Sequence, residues 1–322
     1  MSTATMTEAT ATGTTARPYG RVHVVTVTHN SSTTLQAYLD GIRASAGLVA
    51  GVTVVDNAST DDTVALLRAA VDGYPLPLEV VENANTGFAG GYRAASVSAV
   101  ERGIPVLCLN PDVVLAPGAV EALLDVLNSF PAAAVVTTPL VEVDGSPDTA
   151  SRRKLPTLSG SVVYSVLGRL TPSALRYNAQ EQAPEAFTSA AGRRATALEA
   201  TTGALMLVDP AFRSLDEGVF DADYWMYGED LQLCSDARDR GLSVLMAEVD
   251  PSVHVKGVSS GRPRSTRSNR AFHDAMYLYA RKNLVSHPVL LAGLWAGVWA
   301  HFGLSEATAT PVRLRRRLRA RR

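Results

Sequence analysis

The sequence predicts an α/β fold, a doubly wound and mostly parallel sheet with helices on both faces and further helices at the C-terminus. Three observations carry this. From residue 21 onward, strand-like and helix-like segments alternate. The strand segments are continuously apolar, not alternating, as strands covered on both faces are. Polar residues, Asp56, Asn85 and Asp112, then fall at or just beyond the C-terminal ends of three strands, where a Rossmann-like sheet binds its ligands.

The elements follow in order. RVHVVTVTHN (21–30) is a β-branched strand, and SSTTLQAYLDGIRAS after it a helix with Ser/Thr at its start. GVTVVDNAST (51–60) is the second strand. DDTVALLRAAVDGY is a helix opened by two acids, which suit the positive end of its dipole. LEVVENAN (78–85) is a third strand and GFAGGYRAASVSAVERG a glycine-opened helix. IPVLCLNPDVVL (104–115) is the fourth strand, PGAVEALLDVLNSF a helix, and AAAVVTTPLVEVDGS a strand with a turn. The pattern breaks between about 150 and 195, which reads as an irregular insertion; long irregular segments inside a domain are often functional. ALEATTGALMLVDPAF then reads as one strand and a turn, the end of FDADYWMYGEDLQLCSDARDRG as a helix, and LSVLMAEVDPSVHVKG as a late strand. NRAFHDAMYLYARKNLVSH is an amphipathic helix. PVLLAGLWAGVWAHFGL is apolar for about sixteen positions, fewer than the roughly 20 that span a bilayer. The expected domains are a disordered leader (1–19), a catalytic-type α/β domain (20–285) and an apolar helix with a basic tail (286–322).

Composition bounds the function. Hydrophobic residues at 46% supply an ample core, and a net charge of −1 gives the chain no nucleic-acid-binding character. Arginines cluster in the last ten residues, which suits an anionic membrane surface. Cys108 and Cys234, far apart, read as core thiols of a reducing compartment rather than a disulfide or zinc framework. The Thr/Ala-rich N-terminus has no apolar signal region, so the expectation is cytoplasmic.

Several short stretches can carry chemistry. In VVDNASTDDT, Asp56 and Asn57 offer hydrogen-bonding groups to a nucleoside, or simply a turn in which Ser59 or Asp61 caps the next helix. NANTGFAGGYR is glycine-rich but matches neither G-x-G-x-x-G nor a P-loop. Its glycines let backbone N–H groups approach a ligand, or pack helix on sheet. Asp112, held by Pro111 at a strand end, suits a hard divalent cation, which takes one or two protein carboxylates plus phosphate oxygens. It equally suits a turn acid. Glu229 and Asp230 in YGED are adjacent acids at a helix start, and His254 and Lys256 lie beyond a strand.

In sequence, Asp56-Asn57, the Asn85–Gly91 loop, Asn110-Pro111-Asp112, Gly203-Ala204, Glu229-Asp230 and His254 resemble the inverting glycosyltransferases of family 2, which have the GT-A fold. The likeness runs from about Val22 to Arg281. It implies that Asp56 reads the nucleotide base, with Asn57, His29 and Asn30 beside it. It implies that Asn85, Gly87, Phe88, Gly90, Gly91 and Arg93 surround the nucleotide-sugar donor. Asp112 matches the last acid of the family's D-x-D, Asn110 standing for the first, and His254 a position that completes the shell of a divalent cation, Mg2+ or Mn2+. Asp230 matches the catalytic base, with Glu229 beside it. Gln232 stands where another acid is usual, and Arg93 where Asn is usual.

The 137–168 stretch and HVKGVSSGR look like the rhamnosyltransferase-like branch that acts on polyprenyl-diphosphate-linked sugars. This implies dTDP-L-rhamnose as donor and a cell-envelope glycan or lipid-linked acceptor, with Arg152, Arg153, Trp225 and Lys256 on the acceptor-phosphate side. A UDP-hexose or galactofuranose transferase, a nucleotidyltransferase and a non-catalytic sugar-nucleotide sensor are the alternatives. The C-terminal segment suits a peripheral enzyme on the inner face of the membrane. Oligomeric state, a homodimer included, stays open.

Overall fold

A computed structural model of the chain describes residues 18–158, 185–213, 218–256 and 264–319. The expected leader up to residue 17, the middle of the insertion (159–184), the segment 257–263 and the end of the basic tail (320–322) lie outside them.

The first half builds as its sequence suggests. Strands β1 (Val22–Thr28), β2 (Val49–Asn57), β3 (Leu78–Asn83) and β4 (Val106–Leu109) pair in parallel in the order β3-β2-β1-β4. The helices between them are α1 (Leu35–Arg43), α2 (Thr63–Val71) and α3 (Gly87–Glu101). Beyond β4 the order continues through β10 (Leu205–Val208), β6 (Ala133–Thr137), β11 (Ser243–Ala247), β9 (Arg194–Leu198) and β8 (Ala186–Thr188), completing nine strands. β10 and β9 are antiparallel to their neighbours, and the other seven strands run one way. A small second sheet joins β5 (Val113–Val114), β12 (Ser252–His254) and β7 (Leu140–Val141).

Doubly buried strands explain the unbroken apolar runs. Val22, Val24, Val52 and Val54 face one layer with α1, α2 and α4 (Ala119–Ser129). Val25, Val27, Val55 and Cys108 face the other with α3, α5 (Glu229–Asp239) and α6 (Thr266–Asn283). Cys108 and Cys234 are both free and buried.

Two expected single strands are each two. The segment 197–212 breaks after β9, and residues 199–204 form an irregular link into β10 that carries Thr201 and Gly203. The segment 242–257 breaks at 248–251, so β11 stays in the main sheet while β12 crosses to the small one. The insertion is ordered at both described ends: Arg153 and Ala200 exchange backbone hydrogen bonds of 2.9 and 3.0 Å, and β8 and β9 form a hairpin. Tyr19, assigned to the leader, is pinned to the domain by its N–H on Asn128 Oδ1 and its hydroxyl on Asp209.

The apolar C-terminal segment belongs to a longer helix than its composition suggests, α7 (Pro288–Arg319). By length and composition alone its Pro288–Arg313 part is long and apolar enough to cross a membrane, and little of it is buried. Val289, Leu290, Trp295 and Leu304 are exposed. α7 is fastened to α6 mainly by polar groups. Asn269 Nδ2 donates to Ser305 Oγ and Glu306 Oε1, Thr266 Oγ1 donates to Glu306, and the His273 and His301 rings meet at 2.9 Å.

Candidate active site

Parallel pairing of β2, β1 and β4 sets their C-terminal ends side by side, and the expected donor residues gather there. Asp56, at the end of β2, is 1% exposed, so its two oxygens need partners inside the protein. Thr28 Oγ1 (2.8 Å), Ser59 Oγ (2.5 Å) and the Ser59 N–H (2.8 Å) supply them. Asn57 spans the crevice: its Nδ2 donates to the Gly87 carbonyl at 2.7 Å, and its own carbonyl meets His29 Nδ1 at 2.9 Å. Asn30 adopts a left-handed conformation (φ 54°), with Oδ1 accepting the Thr60 N–H at 2.8 Å. Asp61 accepts the N–H and hydroxyl of Thr63, so it caps α2.

The glycine loop is locked from one side. Asn85 Oδ1 accepts the Gly87 N–H at 3.2 Å, and Gly87 has φ +85°. A β-carbon at Gly87 would lie 2.1 Å from the Trp225 carbonyl oxygen, which accepts the Phe88 N–H at 2.7 Å. Trp225, expected on the acceptor side, is wedged against the glycine loop, with the Arg267 guanidinium 4.4 Å from its ring centre. Gly91 lets α3 approach β1, since a β-carbon there would meet Val27 at 2.8 Å; Gly90 sits beside Thr86. Arg93 is exposed on α3 and lies along Gly218.

Asp230 sits at the first turn of α5, where helix amides and a positive dipole end favour a carboxylate. Its Oδ1 accepts the Leu231 N–H at 2.8 Å and its Oδ2 the Gly203 N–H at 3.1 Å. Arg153, expected to face an acceptor diphosphate, instead pairs with Asp230 Oδ2 and also donates to the Thr201 carbonyl at 2.8 Å. Arg152, beside it, is exposed. Glu229 is buried. Burial first, and then the neighbouring Asp230 charge, raise its pKa well above the ordinary range, and its Oε2 has no hydrogen-bond partner.

Asp112 and Asn110 lie across the β4–β10 pairing from this acid. The Asn110 N–H donates to the Ala204 carbonyl at 2.9 Å, one residue from the Gly203 amide that binds Asp230. Asn110 Oδ1 and Asp112 Oδ1 are buried without hydrogen bonds. Two such orphaned oxygens suit a hard divalent cation that completes its shell with phosphate oxygens. Among the described residues no three His, Cys, Asp or Glu side chains form a ready-made cage.

His254 Nε2 is 3.4 Å from Asp112 Oδ1, an ion-pair distance without hydrogen-bond geometry, and Nδ1 is 2.8 Å from Asp148 Oδ2. Burial works against charge on this ring, but the two carboxylates outweigh it and raise its pKa to about 9. Lys256, expected on a phosphate, is instead paired with Asp148 and, at 3.2 Å, with Glu142. Asp148 carries no motif in the sequence beyond following Pro147 in a turn. Gln232, where an acid is usual, accepts from Tyr224 and Asn283 and donates to Asp236, tying α5 to α6.

The chain is 28% identical over 271 residues to N-acetylglucosaminyl-diphospho-decaprenol L-rhamnosyltransferase of Mycobacterium tuberculosis, covering 80% of this chain and 82% of that protein. Among solved structures, the mannosyltransferase PcManGT from Pyrobaculum calidifontis, in complex with GDP-Man and Mn2+, superimposes with TM-score 0.50 at 16% identity, over 90% of this chain and 75% of that one. A mycobacterial protein gives TM-score 0.52 at 17% identity, over 83% and 76%. The family model "Glycosyl transferase family 2" matches residues 23–201, more than half of the sequence, and the chain is therefore a glycosyltransferase belonging to that family.

Proposed function

We propose that this enzyme transfers L-rhamnose from dTDP-L-rhamnose to a hydroxyl of a cell-envelope glycan or polyprenyl-diphosphate-linked acceptor, with inversion. The mycobacterial relative's rhamnosyltransferase activity on a diphospho-decaprenol acceptor supports the donor and acceptor classes. The observation that carries the mechanism is the placement of two acids about one strand pairing. Asn110 and Ala204 are hydrogen-bonded, Asp112 follows one, and Gly203, before the other, holds Asp230.

Asp230 acts as general base. Its three donors fix the carboxylate, and an acceptor hydroxyl within hydrogen-bond reach loses its proton to it as the oxygen attacks the sugar. Direct displacement from the face opposite the nucleotide inverts the anomeric centre and needs no nucleophile on the protein. Beside it, burial and then the Asp230 charge push the Glu229 carboxyl well above the ordinary carboxylate range. His29, Asn30, Asp56, Asn57 and the Asn85–Gly91 loop form the donor side. Asp112, with Asn110 and His254, would hold Mg2+ or Mn2+, which when bound neutralises charge on the departing nucleoside diphosphate. The exposed apolar face of α7 rests on the inner face of the membrane, where a lipid-linked acceptor would be met.

Incubating the full chain with dTDP-L-rhamnose or UDP-sugars, Mn2+ and a polyprenyl-diphosphate N-acetylglucosamine acceptor tests the reading. Expected are dTDP release with dTDP-L-rhamnose, an inverted linkage by NMR, and turnover abolished in Asp230→Asn with donor binding retained. Transfer from UDP-sugars alone removes the rhamnose assignment, and an active Asp230→Asn removes the base.

A further inference from the structure

We infer that Asp148 is a positioning residue for the cation site, orienting His254 so that its Nε2 is presented beside Asp112. The inference rests on the cation-assisted reading above and extends it to a residue with no role there. The Asp148 side chain has no solvent exposure. A carboxylate so buried needs several donors. It has three: His254 Nδ1 at 2.8 Å, the Ala150 N–H at 2.9 Å and the Lys256 ammonium. With Nδ1 directed to Asp148, the opposite nitrogen is the one left to face Asp112. A carboxylate behind an imidazole is the arrangement that fixes ring orientation and tautomer at metal centres.

The backbone around Asp148 explains why it holds still. Its N–H donates to the Leu140 carbonyl at 2.9 Å, anchoring it beside β7, which pairs with the His254 strand β12. Its carbonyl accepts both the N–H and the hydroxyl of Ser151, at 3.0 and 2.7 Å. The Ser151 carbonyl in turn accepts the Thr201 hydroxyl at 2.9 Å. Two residues further on, Arg153 reaches the catalytic acid. The turn 148–153 thus ties the His254 ring to the Asp230 carboxylate.

The test reads metal binding rather than turnover. Mn2+ is titrated into the full chain with dTDP and followed by electron paramagnetic resonance, with electron-spin-echo modulation to detect a coordinated imidazole nitrogen. The wild-type protein shows one imidazole signal, lost in His254→Gln. Asp148→Ala raises the Mn2+ dissociation constant about 10- to 100-fold and weakens the nitrogen signal. Should Asp148→Ala fail to fold by circular dichroism, Asp148→Ser, too short to reach Nδ1, carries the same expectation. Wild-type affinity in a folded Asp148→Ala or Asp148→Ser overturns the inference. A wild-type protein that binds Mn2+ without an imidazole signal also overturns it but leaves the transfer reaction intact. A normal imidazole signal without rhamnosyl transfer overturns the donor reading and supports the inference.

Discussion

Arg153 and Asp230 meet in an ion pair in which each side chain is only 11% exposed, although 77 residues separate them in sequence. Water screens such a pair little, so removing one partner strands the other. Arg153→Met is expected to lower unfolding free energy by about 3–5 kcal/mol, read from the denaturant midpoint, whereas Arg153→Lys keeps most of it. Equal stability of the Met variant and wild type would show that the pair does not form.

Gly87 permits no side chain. With φ +85° and the Trp225 carbonyl where a β-carbon would stand, Gly87→Ala must move Trp225 or the loop. A loss of about 1–3 kcal/mol is expected from the backbone conformation alone, with weaker donor binding by calorimetry. Unchanged donor affinity would detach this loop from the donor.

His254 makes stability pH-dependent in a predictable direction. Its pKa is about 9 in the fold against 6.5 free, so its pairing contributes fully below pH 6.5 and is lost as pH rises through 9. The melting-temperature gap between wild type and His254→Gln should shrink steadily from pH 6.5 to pH 9. A gap independent of pH across that window would contradict the pairing.

Glu229 behaves oppositely. Its raised pKa means that ionising it opposes folding, at a cost that grows as pH climbs above the ordinary carboxylate range. Glu229→Gln, nearly isosteric and always neutral, should gain stability relative to wild type between pH 5 and pH 8. Loss of stability on the same ramp would mean that the carboxylate is ionised in the fold.

The exposed face of α7 is expected to bind anionic vesicles. Flotation with phosphatidylglycerol liposomes should fall in the double variant Leu290→Glu with Trp295→Glu, both sites being exposed and tolerant of charge in solution, and in a chain ended at His287. Equal flotation of all three proteins would leave α7 without a membrane role.

The parallel half of the sheet was legible because β1, β2 and β4 are buried on both faces and so cannot alternate polar and apolar residues. Family membership was legible from the order of Asp56, Asn110-Pro111-Asp112 and Glu229-Asp230. What escaped were pairings at long range. Arg153 and Lys256 read as cations awaiting phosphate because their carboxylates lie 77 and 108 residues away. Asp148 has no local signature, since its meaning comes from a histidine 106 residues later. The breaks after β9 and β11 fall in short polar stretches, 199–204 and 248–251, between apolar runs that read as one strand, while the partner strand changes.

The clasp of Asn269, Thr266 and Glu306 between α6 and α7 leaves Val289, Leu290, Trp295 and Leu304 of α7 free for another solvent. Since Asn283 of α6 is bonded to Gln232, two residues after Asp230, that helix and the Asp230 turn are braced as one piece. Were α7 to lie flat in lipid, this bracing would hold the reaction centre at a constant stand-off from the headgroups, so that the reach of the acceptor's diphosphate, not a flexible stalk, decides which hydroxyl arrives at Asp230.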